Sequence, residues 1–148
     1  MVSFSNNPPI IEEEASASHK SANEKGICPM CQTVSTETSG SRQILQTEGF
    51  TAFCPWAPTH SFEFWVSPKK HNTSFSKISQ KESNYLSLII RATRGDLLKH
   101  LKNPSYNLAF QLSPEKKNSK KIHWHIEVYP MTNPPSALEK GFGIIINS

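Results

Sequence analysis

Ile122-His123-Trp124-His125-Ile126-Glu127-Val128-Tyr129-Pro130 is the stretch whose reading decides the fold. In an extended chain, successive side chains point to opposite faces. Ile122, Trp124, Ile126 and Val128 then share one face, and His123, His125, Glu127 and Tyr129 share the other. One strand carries both a core face and a face dense in chemistry. Two imidazoles two residues apart can bind a metal, or one can attack a phosphorus while the other is held.

Upstream, Tyr106, Leu108, Phe110 and Leu112 alternate with Asn107, Ala109 and Gln111, which predicts a strand over 106–112. Further strands are expected at Phe50–Cys54, stopped by Pro55, and at Ser61–Ser67, where Phe62, Phe64 and Val66 alternate against Glu63 and Trp65. Between these strands, Ser79 with Glu82 three residues on is a capping-box signature. Leu86, Ile89, Ile90, Thr93, Leu97 and Leu101 follow it at helical spacing and predict about six turns, ended by Asn103-Pro104. Gly95 within that stretch costs roughly 1 kcal/mol against Ala. Strands on hairpin-length loops with one long helix indicate an α+β fold built on an antiparallel sheet.

Composition frames this reading. The chain of 148 residues fits one domain, with residues 1–25 as a flexible N-terminal arm or short exposed helix and 26–148 as the folded unit. The arm is rich in Ser, Asn and Glu and includes Pro8-Pro9 and Glu12-Glu13-Glu14. Gln32 to Arg42 is mostly Ser, Thr, Glu and Gly and reads as loop. Met1-Val2-Ser3-Phe4-Ser5 does not resemble a secretory signal, and no apolar run reaches the length of a membrane span. A net charge of +4 suits small anions such as sugar phosphates better than nucleic acid. Three cysteines do not make a disulfide framework, so a reducing, cytoplasmic setting is the expectation.

Cys28-Pro29-Met30-Cys31 has the two-residue gap that lets both thiolates reach one ion. Zinc takes four tetrahedral N or S ligands. With one cysteine pair, two ligands must come from elsewhere, and His71 and His123 are the best candidates. The competing reading is a redox pair or two ordinary cysteines. Cys54 reads as a packed strand residue, and His19, His60 and His100 as surface or supporting groups. If His123 is held by a metal, His125 is left free to attack a phosphorus. Lys69-Lys70 and the basic loop Lys116-Lys117-Asn118-Ser119-Lys120-Lys121 are candidate phosphate attractors, although a solvated surface turn is the preferred reading of the loop.

The order of these motifs resembles the galactose-1-phosphate uridylyltransferase family of the histidine triad superfamily. The chain shows CxxC, then Phe53-Cys54-Pro55-Trp56-Ala57, then Phe62-Glu63-Phe64-Trp65-Val66-Ser67-Pro68-Lys69-Lys70-His71. A helix, Tyr106-Asn107, His123-Trp124-His125-Ile126-Glu127, Gly141-Phe142 and Ile146-Asn147 follow. The likeness covers about residues 26–148 and is nearest to the C-terminal half of such enzymes. It implies a histidine-triad-like sheet with one long helix, zinc on Cys28, Cys31, His71 and His123, and His125 as nucleophile. Lys69, Lys70, Gln111 and Glu127 are the candidate substrate-binding residues. The implied reaction is ping-pong transfer of a nucleotidyl group from UDP-glucose or ADP-glucose to a hexose 1-phosphate through a nucleotidyl-histidine. The implied partner is a second copy or a separately encoded other half, with no nucleic acid and no membrane.

Several departures qualify the carry-over. Trp124 stands where the catalytic half has Pro, Glu127 where it has a phosphate-binding Gln, and Gln111 where some members have an iron-binding histidine. Gly141-Phe142-Gly143 runs directly into Ile144-Ile145-Ile146, without the family's sugar-contacting glutamate. These departures keep open a non-catalytic, zinc-stabilised half-domain that needs a partner or has lost activity. A standalone hydrolase of phosphoramidates or dinucleotides is a third reading, disfavoured by Glu127.

Overall fold

The computed structural model describes residues 9–101, 104–113 and 122–131. The basic loop at 116–121 and the segment from Gly141 to Asn147 lie outside the described residues. Five strands form one antiparallel sheet in the order β1-β2-β3-β5-β4: β1 Gln43–Gln46, β2 Phe50–Phe53, β3 Phe64–Pro68, β4 Ser105–Gln111 and β5 His125–Met131. Helices α1 (Pro9–Lys25), α2 (Pro29–Glu37) and α3 (Gln80–His100) complete an α+β fold.

The alternation read in β5 orients the whole sheet. Trp124, Ile126 and Val128 join Phe50, Ala52, Phe64 and Val66 in one buried cluster, closed by Leu86 and Ile89 of α3. Each Val, Leu, Ile or Phe among them contributes about 1.5–3 kcal/mol on full burial. Trp124 is the largest member, its ring 5.8 Å from Phe50 and 5.0 Å from Phe75. Helix α3 begins as expected. The Ser79 hydroxyl accepts from the Glu82 N–H at 3.2 Å, and the Glu82 carboxylate accepts from the Ser79 N–H at 2.7 Å.

Three local expectations change. Gln32–Glu37 is not loop but part of α2. Its Ser/Thr-rich face satisfies itself: the Thr33, Thr36 and Thr38 hydroxyls donate to the carbonyls of Pro29, Gln32 and Val34, while Val34 and Glu37 are buried. Pro29 opens the helix where its missing N–H costs nothing. The strand expected from Ser61 starts only at Phe64, because Phe62 adopts a left-handed backbone (φ 62°) and its ring faces solvent. The N-terminal segment, read as arm or exposed helix, is helix from Pro9, and it packs through Ile11 and Ala15.

This packing sets a stability test. Ile89→Ala should cost about 2–5 kcal/mol in thermal or urea unfolding, since Ile89 is fully buried against the sheet. Leu88→Ala, one residue away and half exposed, should stay within about 0.5 kcal/mol.

Candidate metal centre and the histidine face

Cys28 takes the N-cap position of α2, and Cys31 follows in its first turn. His71 comes three residues after the end of β3, and His123 two residues before β5 begins. Four distant positions in sequence thus meet at one corner of the sheet. Their ligand atoms all lie within 4.8 Å of one another. Cys31 Sγ is 3.2 Å from His71 Nδ1 and 3.3 Å from His123 Nδ1. Tetrahedral zinc at ordinary bond lengths would hold such donors roughly 3.3–3.8 Å apart. Two sulfurs and two imidazole nitrogens also match zinc's preferred donor set. The residues therefore fit a metal ion.

Electrostatics at this corner depends on the ion. Burial, with lesser contributions from His71 and His123's neighbour His125, pushes His123 down to about 4, so the neutral ring a metal requires is the favoured form. Without an ion, burial and the adjacent Cys28 push the Cys31 thiol up to about 11. A cation would invert that preference and draw out the thiolate.

The second histidine has a different setting. His125 is buried, with Nε2 3.4 Å from Glu127 Oε1 and Nδ1 3.9 Å from Glu14 Oε1. Its ring lies against Trp65, centroids 4.9 Å apart. Trp65 donates its indole N–H to Glu63, and Glu63 also accepts from Thr59 and His60, which clamps the β2–β3 loop. Glu127 accepts from Gln111 Nε2 at 2.7 Å and from the Tyr129 hydroxyl. Burial would raise the Glu127 carboxyl, but hydrogen bonds from His125, Tyr129 and Gln111 outweigh it and hold Glu127 below its ordinary value. Glu14 goes the other way: burial and the nearby Glu127 raise it, against the attraction of His125.

Gln111, Glu127 and His125, proposed from sequence, are thus brought together. Lys69 and Lys70 find their partners elsewhere. Lys69 donates to Gln46 on β1 at 2.7 Å, and the Lys70 charge acts on Glu48 and Glu82. Sequence reasoning missed Glu14 and Trp65. Trp65 had a signal, because it sits opposite Phe64 and Val66 in the strand alternation and so belongs to the histidine face. Glu14 had none beyond its acidic run. His60, read as a surface or supporting residue, is exposed and sets its ring edge-on to Tyr129 at 5.1 Å.

Comparison with known proteins bears out the resemblance. No family model matches the chain. It is 25% identical over 143 residues to an ADP-glucose phosphorylase of Arabidopsis thaliana, covering 95% of this chain and 40% of that protein. It is 28% identical over 127 residues to a galactose-1-phosphate uridylyltransferase of Thermotoga maritima, covering 83% of this chain and 39% of that one. The chain thus spans about 40% of the length of these curated relatives. Among solved structures, an Arabidopsis thaliana ADP-glucose phosphorylase with bound ADP-glucose superposes over 97% of this chain and 46% of its own, with a TM-score of 0.81 and 23% identity. A histidine triad family hydrolase of Legionella pneumophila covers 74% of this chain at a TM-score of 0.52 and 18% identity. These superpositions establish the histidine triad fold. No helix among the described residues is long and apolar enough to cross a membrane.

Two outcomes follow. Cys28→Ser or Cys31→Ser should lower bound metal, by elemental analysis, from about one ion per chain towards zero, with a fall in Tm of roughly 2–4 °C for each kcal/mol lost. Glu127, depressed in the fold, contributes stability that is present above about pH 4.5, the ordinary carboxylate value, and is lost as pH falls through its folded value. Glu127→Gln should therefore flatten that acid limb in a pH series of thermal melts.

Proposed function

We propose that this chain is a zinc-stabilised half of a hexose-1-phosphate nucleotidyltransferase assembly of the galactose-1-phosphate uridylyltransferase type. The observation that carries the reading is the Cys28, Cys31, His71 and His123 cluster at the entrance to the histidine strand. Zinc there would tie the start of α2 to the β3 exit and to β5, and so fix the position of His125.

In the full reaction, an imidazole nitrogen attacks the nucleotide-bearing phosphorus of UDP-glucose or ADP-glucose. The P–O bond to glucose 1-phosphate breaks as the N–P bond forms. A phosphate oxygen of a second hexose 1-phosphate then displaces the histidine and gives the new sugar nucleotide. His125 is the candidate nucleophile in this chain. Its surroundings favour the partner-dependent form of the proposal, because each ring nitrogen faces a carboxylate, Glu127 or Glu14. An incoming phosphate would meet negative charge at both, and like charges at such range oppose ionic approach in a buried site. Gln111, a candidate donor to a phosphate, is committed to Glu127. On this reading His125 is a strut within a hydrogen-bonded network, and the attacking histidine belongs to a separate half.

The test is intact-protein mass spectrometry of metal-loaded chain after incubation with UDP-glucose and, separately, ADP-glucose, with His125→Ala beside it. The expected result is no nucleotidyl adduct from the chain alone. An adduct that disappears in His125→Ala would instead make this chain catalytic by itself and identify the nucleotide.

A further inference from the structure

Cys28 and Cys31 are open to small solutes where the strand histidine beside them is not. Both cysteines are half-buried, whereas His123 is 1% exposed. Cys28 holds the N-cap of α2 with an extended backbone (φ −79°, ψ 120°), and its side chain caps no N–H. Cys31 lies in the first turn of the helix, which Pro29 opens. The two sulfurs lie within 4.8 Å of one another, and the Cys28 and Cys31 side chains are in hydrogen-bond range. Two thiols spaced Cys-x-x-Cys at a helix N-terminus can close to a disulfide by side-chain rotation, with little movement of the backbone.

Cys31 is also the joint of this corner. Its Sγ is 3.2 Å from His71 Nδ1 and 3.3 Å from His123 Nδ1, so it links the start of α2 to the exit of β3 and the entry of β5. The far end of α2 is fastened separately. Val34 and Glu37 are buried there, and Glu37 accepts from Arg42 just before β1. A change confined to the two sulfurs therefore frees the first turn of α2 and the entry of β5, while the helix stays attached at its other end.

We infer that this pair is a redox switch: oxidation of Cys28 and Cys31 to a disulfide expels the metal ion and unfastens the entry of the histidine strand, and reduction restores both. The inference rests on the metal site of the functional reading. The oxidant is a peroxide. One thiolate attacks a peroxide oxygen, an S–O bond forms as the O–O bond breaks, and a sulfenic acid and hydroxide result. The second thiolate attacks the sulfenic sulfur, the S–S bond forms as the S–O bond breaks, and a second hydroxide leaves. Two protons from solvent turn the hydroxides into water. The two sulfurs together lose two electrons, and the peroxide gains them. Metal ligation needs the thiolate, so a disulfide leaves only His71 and His123 as ligands. His125 follows His123 by two residues, and its ring loses the support that the ion gives to the strand's entry. An exposed disulfide of this kind is readily reopened by thiol reductants.

The third cysteine supplies the control. Cys54 follows β2, is half-buried, and feels the charges of Arg42 and Glu37 rather than the ligand cluster. The test exposes the full zinc-loaded chain to millimolar hydrogen peroxide. Metal is followed with a chromogenic chelator, thiols by titration, and the disulfide by peptide mass spectrometry. Bound zinc should fall from about one ion per chain towards zero as two thiols disappear. The peptide holding both Cys28 and Cys31 should become lighter by two hydrogen atoms, with any oxygen on Met30 counted apart. The circular dichroism spectrum should stay that of a folded chain, and dithiothreitol with added zinc should restore the metal content. Cys54→Ser should respond as the parent does. A reduced chain that binds no zinc overturns the inference and the metal site together. A chain that keeps its zinc under peroxide, releases it without the Cys28–Cys31 disulfide, joins Cys54 to either cysteine, unfolds as zinc leaves, or does not reload after reduction overturns the inference alone, as does a Cys54→Ser protein that no longer responds.

Discussion

Strand β5 is packed on both faces from His125 to Val128, and the rest of the structure follows from that. Trp124, Ile126 and Val128 on one side are matched by α3, which arrives with Leu86 and Ile89 at helical spacing. The other side presents His123, His125 and Glu127, polar groups that are expensive to bury without partners. Each is therefore answered by groups from other elements or, for Glu127, also from Tyr129 of the same strand. Cys31 and His71 meet His123, Glu14 and Trp65 meet His125, and Gln111 and Tyr129 meet Glu127. Helix α1 reaches this face through Glu14 and helix α2 through Cys31, beside their buried Ile11, Ala15 and Val34.

Two kinds of chemistry occupy adjacent positions on the same strand face. At His123 the donors are soft and nitrogenous, converge within ligand range, and include a ring that burial keeps neutral. Two residues on, at His125, the neighbours are carboxylates and an indole. A cation is welcome at the first position, and an anion is resisted at the second. That contrast underlies the proposal of a structural metal in this chain and of an attacking group from a partner.

The period-two pattern of 122–130 and the 3.6-residue pattern after Ser79 were legible because each element buries one continuous face against one neighbour. The four metal-ligand candidates were legible through spacing and residue type, since few side chains hold zinc. Helix α2 was not, because Ser and Thr favour loops unless their hydroxyls bond back to the preceding turn, as Thr33, Thr36 and Thr38 do. Phe62 misled the strand boundary. Its apolar side chain fits the alternation, but the Glu63 carboxylate gathers Thr59, His60 and Trp65 and turns the backbone there.

The sequence by itself determined the α+β class, the two faces of β5 and the start of α3, because periodicity is a local property, and it offered Cys28, Cys31, His71 and His123 as candidates that the fold then brought together. Tertiary structure alone decided that Glu14 reaches His125. Glu14 lies 111 residues before it in the chain, so no local pattern could couple the two, and only the packing of α1 onto the sheet brings that carboxylate to the ring. The lysines after Pro68 show the converse. Their charge was plain in the sequence, and the fold turned it towards Gln46, Glu48 and Glu82, because the chain leaves β3 on the side of the β1–β2 turn.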